Sequence, residues 1–305
     1  QGAVAAFAAP MELEACTDRA RLAQAPWPTV EQSDAVAELR RQLAHATGLR
    51  LAGRYAPALE QVEAVRQDAE ALGFRPLVVE AELALGMLHE LRAAYEPALT
   101  HLRAAFFEAA SVGMDRVALE AAARLVLTVG LRLARHDDGI EWAEHARVYV
   151  TRLGETARLS SASLWSNEAA VRRLRGEHGE AIRLHEQALE LRERILGPEH
   201  PDVATSLSNL GLVMSDAGAL EQARGLHERA LAIRERTLGP EHPNVASSLD
   251  NLGGMARVMG EYETARALHE RALGIWERAM GPEHPSVALC LNNLAVVDIR
   301  LGDEA

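Results

Sequence analysis

The chain is 305 residues long, with a formal net charge of −12, 48% hydrophobic residues and only 4% aromatic ones. An acidic balance of that size argues against nucleic acid or an anionic membrane surface as the main partner. Two cysteines, Cys16 and Cys290, are too few and too far apart for a disulfide scaffold; they are expected to be free thiols in a reducing, cytoplasmic setting, and no run of 18 apolar residues offers a membrane span.

Residues 1–29 carry Pro10, Pro26 and Pro28 around one short candidate helix, Met11 to Leu22, and read as a linker or adapter. Ser33 is then the expected N-cap of a helix that runs to Ala52 and stops at Gly53. A second helix, Ala56 to Leu72, stops at Gly73 before Pro76. Helix, short Gly-containing turn, helix is therefore the unit, and it recurs. A small residue marks the first turn of each second helix: Ala58, Ala98, Gly139, Ala181, Ala223 and Ala265, at steps of 40, 41, 42, 42 and 42 residues. Two helices and two short turns fill that length, and small residues are wanted where two helices cross closely. Residues 30–158 are accordingly expected to form divergent helix pairs, and 159–305 regular ones with the last truncated.

In the regular half the punctuation repeats. Leu196-Gly197-Pro198-Glu199-His200-Pro201 returns at 238–243 and, with Met280 for the leucine, at 280–285, 42 residues apart each time. Glycine and proline end one helix, the second proline suits the first turn of the next, and His200, His242 and His284 stand where an imidazole can satisfy free helix N–H groups. Between them, Val203, Leu207, Leu210 and Met214 form one apolar stripe. The second helix is expected to bury Leu220, Ala223, Leu226 or His227, Ala230, Leu231 and Ile233.

The segment Ser206-Leu207-Ser208-Asn209-Leu210-Gly211, followed by Gly218, Ala223, His227-Glu228-Arg229-Ala230-Leu231 and Gly-Pro-Glu-His-Pro, resembles the tetratricopeptide repeat family in the 42-residue form of kinesin light chains. The resemblance covers roughly 35–302, closely from 160 onward. It agrees with the fold expected from the repeat, an all-α, right-handed solenoid of about six and a half helix pairs. Across the whole chain, including Leu13-Glu14-Ala15-Cys16, the sequence is also similar to the C-terminal regions of large bacterial serine/threonine protein kinases. Three departures stand out: Glu168 where the other copies have Leu210, Leu252 and Leu294; Trp276 where they have Arg192 and Arg234; and Gly139 for the marker alanine.

Asn167, Asn209, Asn251 and Asn293 recur at 42-residue steps in the first helices of four successive units, one amide per repeat at one helical phase. An amide can donate to and accept from the backbone of an extended peptide; it can equally bond a neighbouring helix. The family resemblance implies peptide contact. Ser166, Arg173, Ser208, Asp216, Asp250, Arg257, Asn292 and Arg300 would line the same concave groove, and the three arginines suit an acidic peptide or a C-terminal carboxylate. The expected partner is thus a peptide or protein segment, with an upstream kinase domain of the same chain as an alternative. The last helix, Pro285 to Leu301, is expected to fray or to self-associate.

No enzyme is expected. His185-Glu186, His227-Glu228 and His269-Glu270 begin like a zinc-protease signature, but Leu189, Leu231 and Leu273 stand where its second histidine belongs. No nucleophile elbow, phosphate loop or kinase catalytic motif is present. No metal or cofactor site is expected.

Overall fold

A computed structural model describes residues 27–304, which are helical throughout apart from short turns, with no strand among them. The expected Met11–Leu22 helix lies outside the described residues. The chain divides into two compact units between Ala121 and Ala122. In the first, α1 (Ser33–Leu51) pairs with α2 (Tyr55–Leu72), and α3 (Arg75–Leu91) with α4 (Tyr95–Ser111). The boundary falls inside α5 (Asp115–Leu125). The second unit continues α5 as a wide π-turn over Val126–Arg132, then runs through α6 (His136–Leu153), α7 (Arg158–Leu174), α8 (His178–Leu196), α9 (Pro201–Asp216), α10 (Leu220–Leu238), α11 (Pro243–Val258), α12 (Tyr262–Met280) and α13 (Pro285–Glu304). This is an all-α solenoid of paired helices: six pairs and one further helix among the described residues.

The punctuation works as its chemistry requires. His200, His242 and His284 cap α9, α11 and α13: each Nδ1 accepts from the backbone N–H two residues on, at 3.1, 3.1 and 3.2 Å. Gly197, Gly239 and Gly281 take φ of +86°, +87° and +83°, open to glycine at no steric cost. Ser33, by contrast, is not the cap of α1. The chain enters one turn earlier, where Thr29 and Gln32 bond reciprocally: Thr29 N–H to Gln32 Oε1 at 3.1 Å and Gln32 N–H to Thr29 Oγ1 at 3.3 Å. A longer amide side chain reaches back where a serine one residue on cannot.

Within a pair the marker residues Ala58, Ala98, Ala181, Ala223 and Ala265 are fully buried. One turn later, three of the second helices press a side chain onto a glycine of the first. Leu102 lies over Gly86, His227 over Gly211 and His269 over Gly253, so close that a Cβ on any of these glycines would stand 2.6–2.7 Å from the overlying side chain. The alternative left open by sequence resolves accordingly: His227 fills this slot, and Leu226 packs at its edge against Val203, Leu207 and Ile233.

Gly139 is explained by its neighbour. The π-turn brings Gly130 against it, so that a Cβ on Gly139 would meet Gly130 Cα at 2.5 Å. Backbone cannot yield as a side-chain tip can, so alanine is excluded there. The carbonyl that the wide turn frees at Gly130 accepts from His136 Nδ1–H at 2.7 Å.

Candidate functional site

The four asparagines sit on α7, α9, α11 and α13, the first helices of successive pairs, and all are half-buried. Two of them tie the array together. Asn167 Nδ2 donates to Ala123 O of α5 at 2.8 Å, and Asn293 Nδ2 donates to Asp250 Oδ1 of α11 at 3.1 Å; each reaches back to the first helix of the preceding pair. Asn209 and Asn251 make no side-chain hydrogen bond among the described residues. The ladder is therefore divided: two amides are occupied and two, in the middle, are unengaged.

The charged candidates divide the same way. Arg173 pairs with Asp216 at 2.6 Å, and Asp250 is held by His269 Nδ1 at 2.7 Å as well as by Asn293. Exposed Arg257 on α11, and exposed Asn292 and Arg300 on α13, have no side-chain partner among the described residues. Ser166 and Ser208 are buried and do not face solvent. Ser166 Oγ donates to Ala162 O at 2.9 Å and accepts from Arg192 Nη1 at 2.9 Å, which turns it into the helix packing.

Beneath the ladder runs a buried polar layer. His185, His227 and His269 are at most 2% exposed. Burial, and then Arg192 and Arg173, lower the pKa of His185 to about 4; burial and Arg234 do the same for His227. Both are neutral at pH 7. Arg192 Nη1 bonds Ser206 Oγ at 2.6 Å and Arg234 Nη1 bonds Ser248 Oγ at 2.6 Å. Trp276, at the next equivalent place, is a core side chain among Val245, Ala246, Leu249 and Ile275. Trp165 likewise packs against Ala162, Ala188 and Leu191.

The tetratricopeptide repeat family model matches residues 160–236, 215–257 and 245–305, which is the regular half of the array. Residues 160–305 are thus similar to tetratricopeptide repeats. No curated protein matches it. Among solved structures it is similar to BtubC (BKLC) from P. vanneervenii, at 24% identity over 81% of this chain and 94% of that one, with a TM-score of 0.59. It is also similar to a Rap protein complexed with competence and sporulation factor, at 14% identity over 88% and 72% with a TM-score of 0.61. A third is the signal-transduction ATPase PH0952 of Pyrococcus horikoshii, which carries a tetratricopeptide repeat sensor, at 15% identity over 86% of this chain and 43% of that one with a TM-score of 0.61. At these identities the likeness establishes the fold.

The tetratricopeptide array also shows what sequence alone passed over. Asp250, His269 and Cys290 come from α11, α12 and α13, and one donor atom of each lies within 4.8 Å of the others. The zinc-protease signature fails within each helix, but a donor set can also be drawn from three different helices. Aligning the units in register would have placed these three on one rung. No helix among the described residues is long and apolar enough to cross a membrane.

Proposed function

We propose that this chain is a protein–protein interaction scaffold that binds an extended peptide or protein segment in the groove along its first helices. The observation that carries this is the pair of unengaged, half-exposed amides at Asn209 and Asn251, one repeat apart on adjacent first helices. A core amide without a partner is costly; a groove amide is satisfied by water until a peptide backbone replaces it. Arg257 on α11 and Arg300 on α13 add unpaired guanidinium groups and favour a segment with acidic residues or a free C-terminal carboxylate. Asn292 stands beside Asn293 at the same end. A Rap protein of this fold is itself found in complex with a factor. A peptide-display screen on the intact chain is expected to enrich extended, acidic sequences. Enrichment of basic or uniformly apolar sequences would contradict the proposal.

A second reading takes the array as the regulatory or sensor region of a serine/threonine kinase whose catalytic domain precedes Gln1. The same fold serves as a sensor in the PH0952 ATPase. The two differ in outcome: an adaptor binds its peptide without consequence for any activity, whereas a regulatory region changes the activity of a chain that contains the kinase. Self-association through α13, whose Leu289, Leu291 and Ile299 are exposed, is compatible with either.

A further inference from the structure

Three successive helix pairs share one buried polar rung. In the first it consists of Ser166, His185, Arg192 and Ser206; 42 residues on, it is Ser208, His227, Arg234 and Ser248. In the third the imidazole stays while everything around it changes together: Asp250, His269, Trp276 and Cys290. The guanidinium is gone, and a carboxylate and a thiol replace two hydroxyls. His269 and Cys290 are fully buried, and the Asp250 side chain is 15% exposed. His269 Nδ1 lies 2.7 Å from Asp250 Oδ1, and Cys290 Sγ–H donates to His269 O at 3.2 Å. His269 Nε2 is buried with no hydrogen-bond partner.

We propose that Asp250, His269 and Cys290 form a binding site for a divalent transition-metal ion of the zinc class, with a fourth coordination position open on the Asp250 side. Sulfur, imidazole nitrogen and carboxylate oxygen are the donors such an ion takes, at about 2.3, 2.0–2.1 and 2.0–2.2 Å. The three donor atoms already lie within 4.8 Å of one another, close to the separations that shared coordination needs. Carboxylate and thiolate together cancel the charge of a dication, which removes the main cost of burying it. The lost arginine matters as much. Arg234 in the second pair would repel a cation beside His227, whereas Trp276 carries no charge.

On binding, the Cys290 S–H bond gives way to a sulfur–metal bond and the proton leaves to solvent. Metal and proton compete for the same sulfur. Apparent affinity therefore rises with pH. Full burial of Cys290 and His269 keeps a substrate away from the other use of such a trio, a thiolate nucleophile activated by histidine.

Cobalt(II) is the probe. With Cys16 replaced by serine, Cys290 is the one thiol in the chain. This protein is expected to take up one equivalent of cobalt(II), with a thiolate-to-cobalt charge-transfer band, tetrahedral ligand-field bands and a raised melting temperature. Cys290→Ser and Asp250→Ser restore the residues of the second pair, so both suit the fold. Cys290→Ser abolishes the charge-transfer band, and Asp250→Ser abolishes uptake of the stoichiometric ion. No charge-transfer band in the Cys16→Ser protein, or a band that survives Cys290→Ser, overturns the proposal.

Discussion

Glu168→Ala is expected to destabilise the chain by about 3–5 kcal/mol, the cost of leaving a partner charge stranded in the interior. Glu168 has no exposed surface, yet it is a carboxylate. Arg147 Nη2 of α6 reaches its two oxygens at 2.6 and 2.8 Å, and Arg172 Nε, one turn along α7, reaches the first at 2.8 Å. The ion pair thus joins one helix pair to the next, at the rung where leucine serves in the later copies. Without the carboxylate, Arg147 can swing outward, since its side chain is 39% exposed, but Arg172 is only 18% exposed and is held beside Glu177. Glu168→Leu should therefore restore apolar packing but still be less stable than wild type. Replacing Glu168, Arg147 and Arg172 together by leucine or methionine should return most of the stability, because a buried ion network exchanged for apolar side chains is often neutral. Urea denaturation measures all three variants. A loss below 1 kcal/mol for Glu168→Ala would show that the network contributes little.

The second large effect is a loss of stability in mild acid. His185 and His227 titrate near 4 when folded and near 6.5 when unfolded. Between those values the unfolded chain binds protons that the native state refuses, so unfolding free energy increases with pH across that window and falls as the pH is lowered. Each histidine accounts for a loss of up to about 3 kcal/mol, complete once the pH reaches the folded value. Arg192 and Arg173 face His185, and Arg234 faces His227, so these charges disfavour the protonated form of each imidazole. Leucine is a fair replacement because Leu102 already fills the same slot over Gly86. The His185→Leu/His227→Leu protein should show a much flatter dependence of urea midpoint on pH between 7 and 4. A slope unchanged from wild type would place the acid sensitivity elsewhere.

Local chemistry was legible in the sequence and cross-repeat chemistry was not. The histidine caps, the left-handed glycines and the marker alanines each depend on a few adjacent residues, and each could be placed from spacing. The Thr29–Gln32 entry was missed because a serine at the expected position is a strong but not compelling cap. The π-turn at 126–132 was missed because nothing in Val-Leu-Thr-Val-Gly announces it; Gly130 and Gly139 make sense only once they touch. His227 rather than Leu226 fills the core slot because what decides it is Gly211 on the facing helix, sixteen residues away. The Asp250, His269 and Cys290 rung is drawn from three helices. Trp276 was visible as a departure, but its meaning depends on the two other changes beside it.

The same distinction applies to the asparagines. A 42-residue period sets their helical phase and cannot set their partners, and the structure gives Asn167 and Asn293 protein partners while leaving Asn209 and Asn251 without any among the described residues. The decisive measurement is therefore calorimetric titration of a selected peptide into the wild-type chain and the Asn209→Ala/Asn251→Ala variant, with melting recorded alongside. Two lost amide contacts should weaken binding by about 2 kcal/mol, roughly 30-fold, while the melting temperature moves by no more than a degree or two. Unchanged affinity, or a large fall in melting temperature with binding lost only as a consequence, would contradict the binding role assigned to this wall.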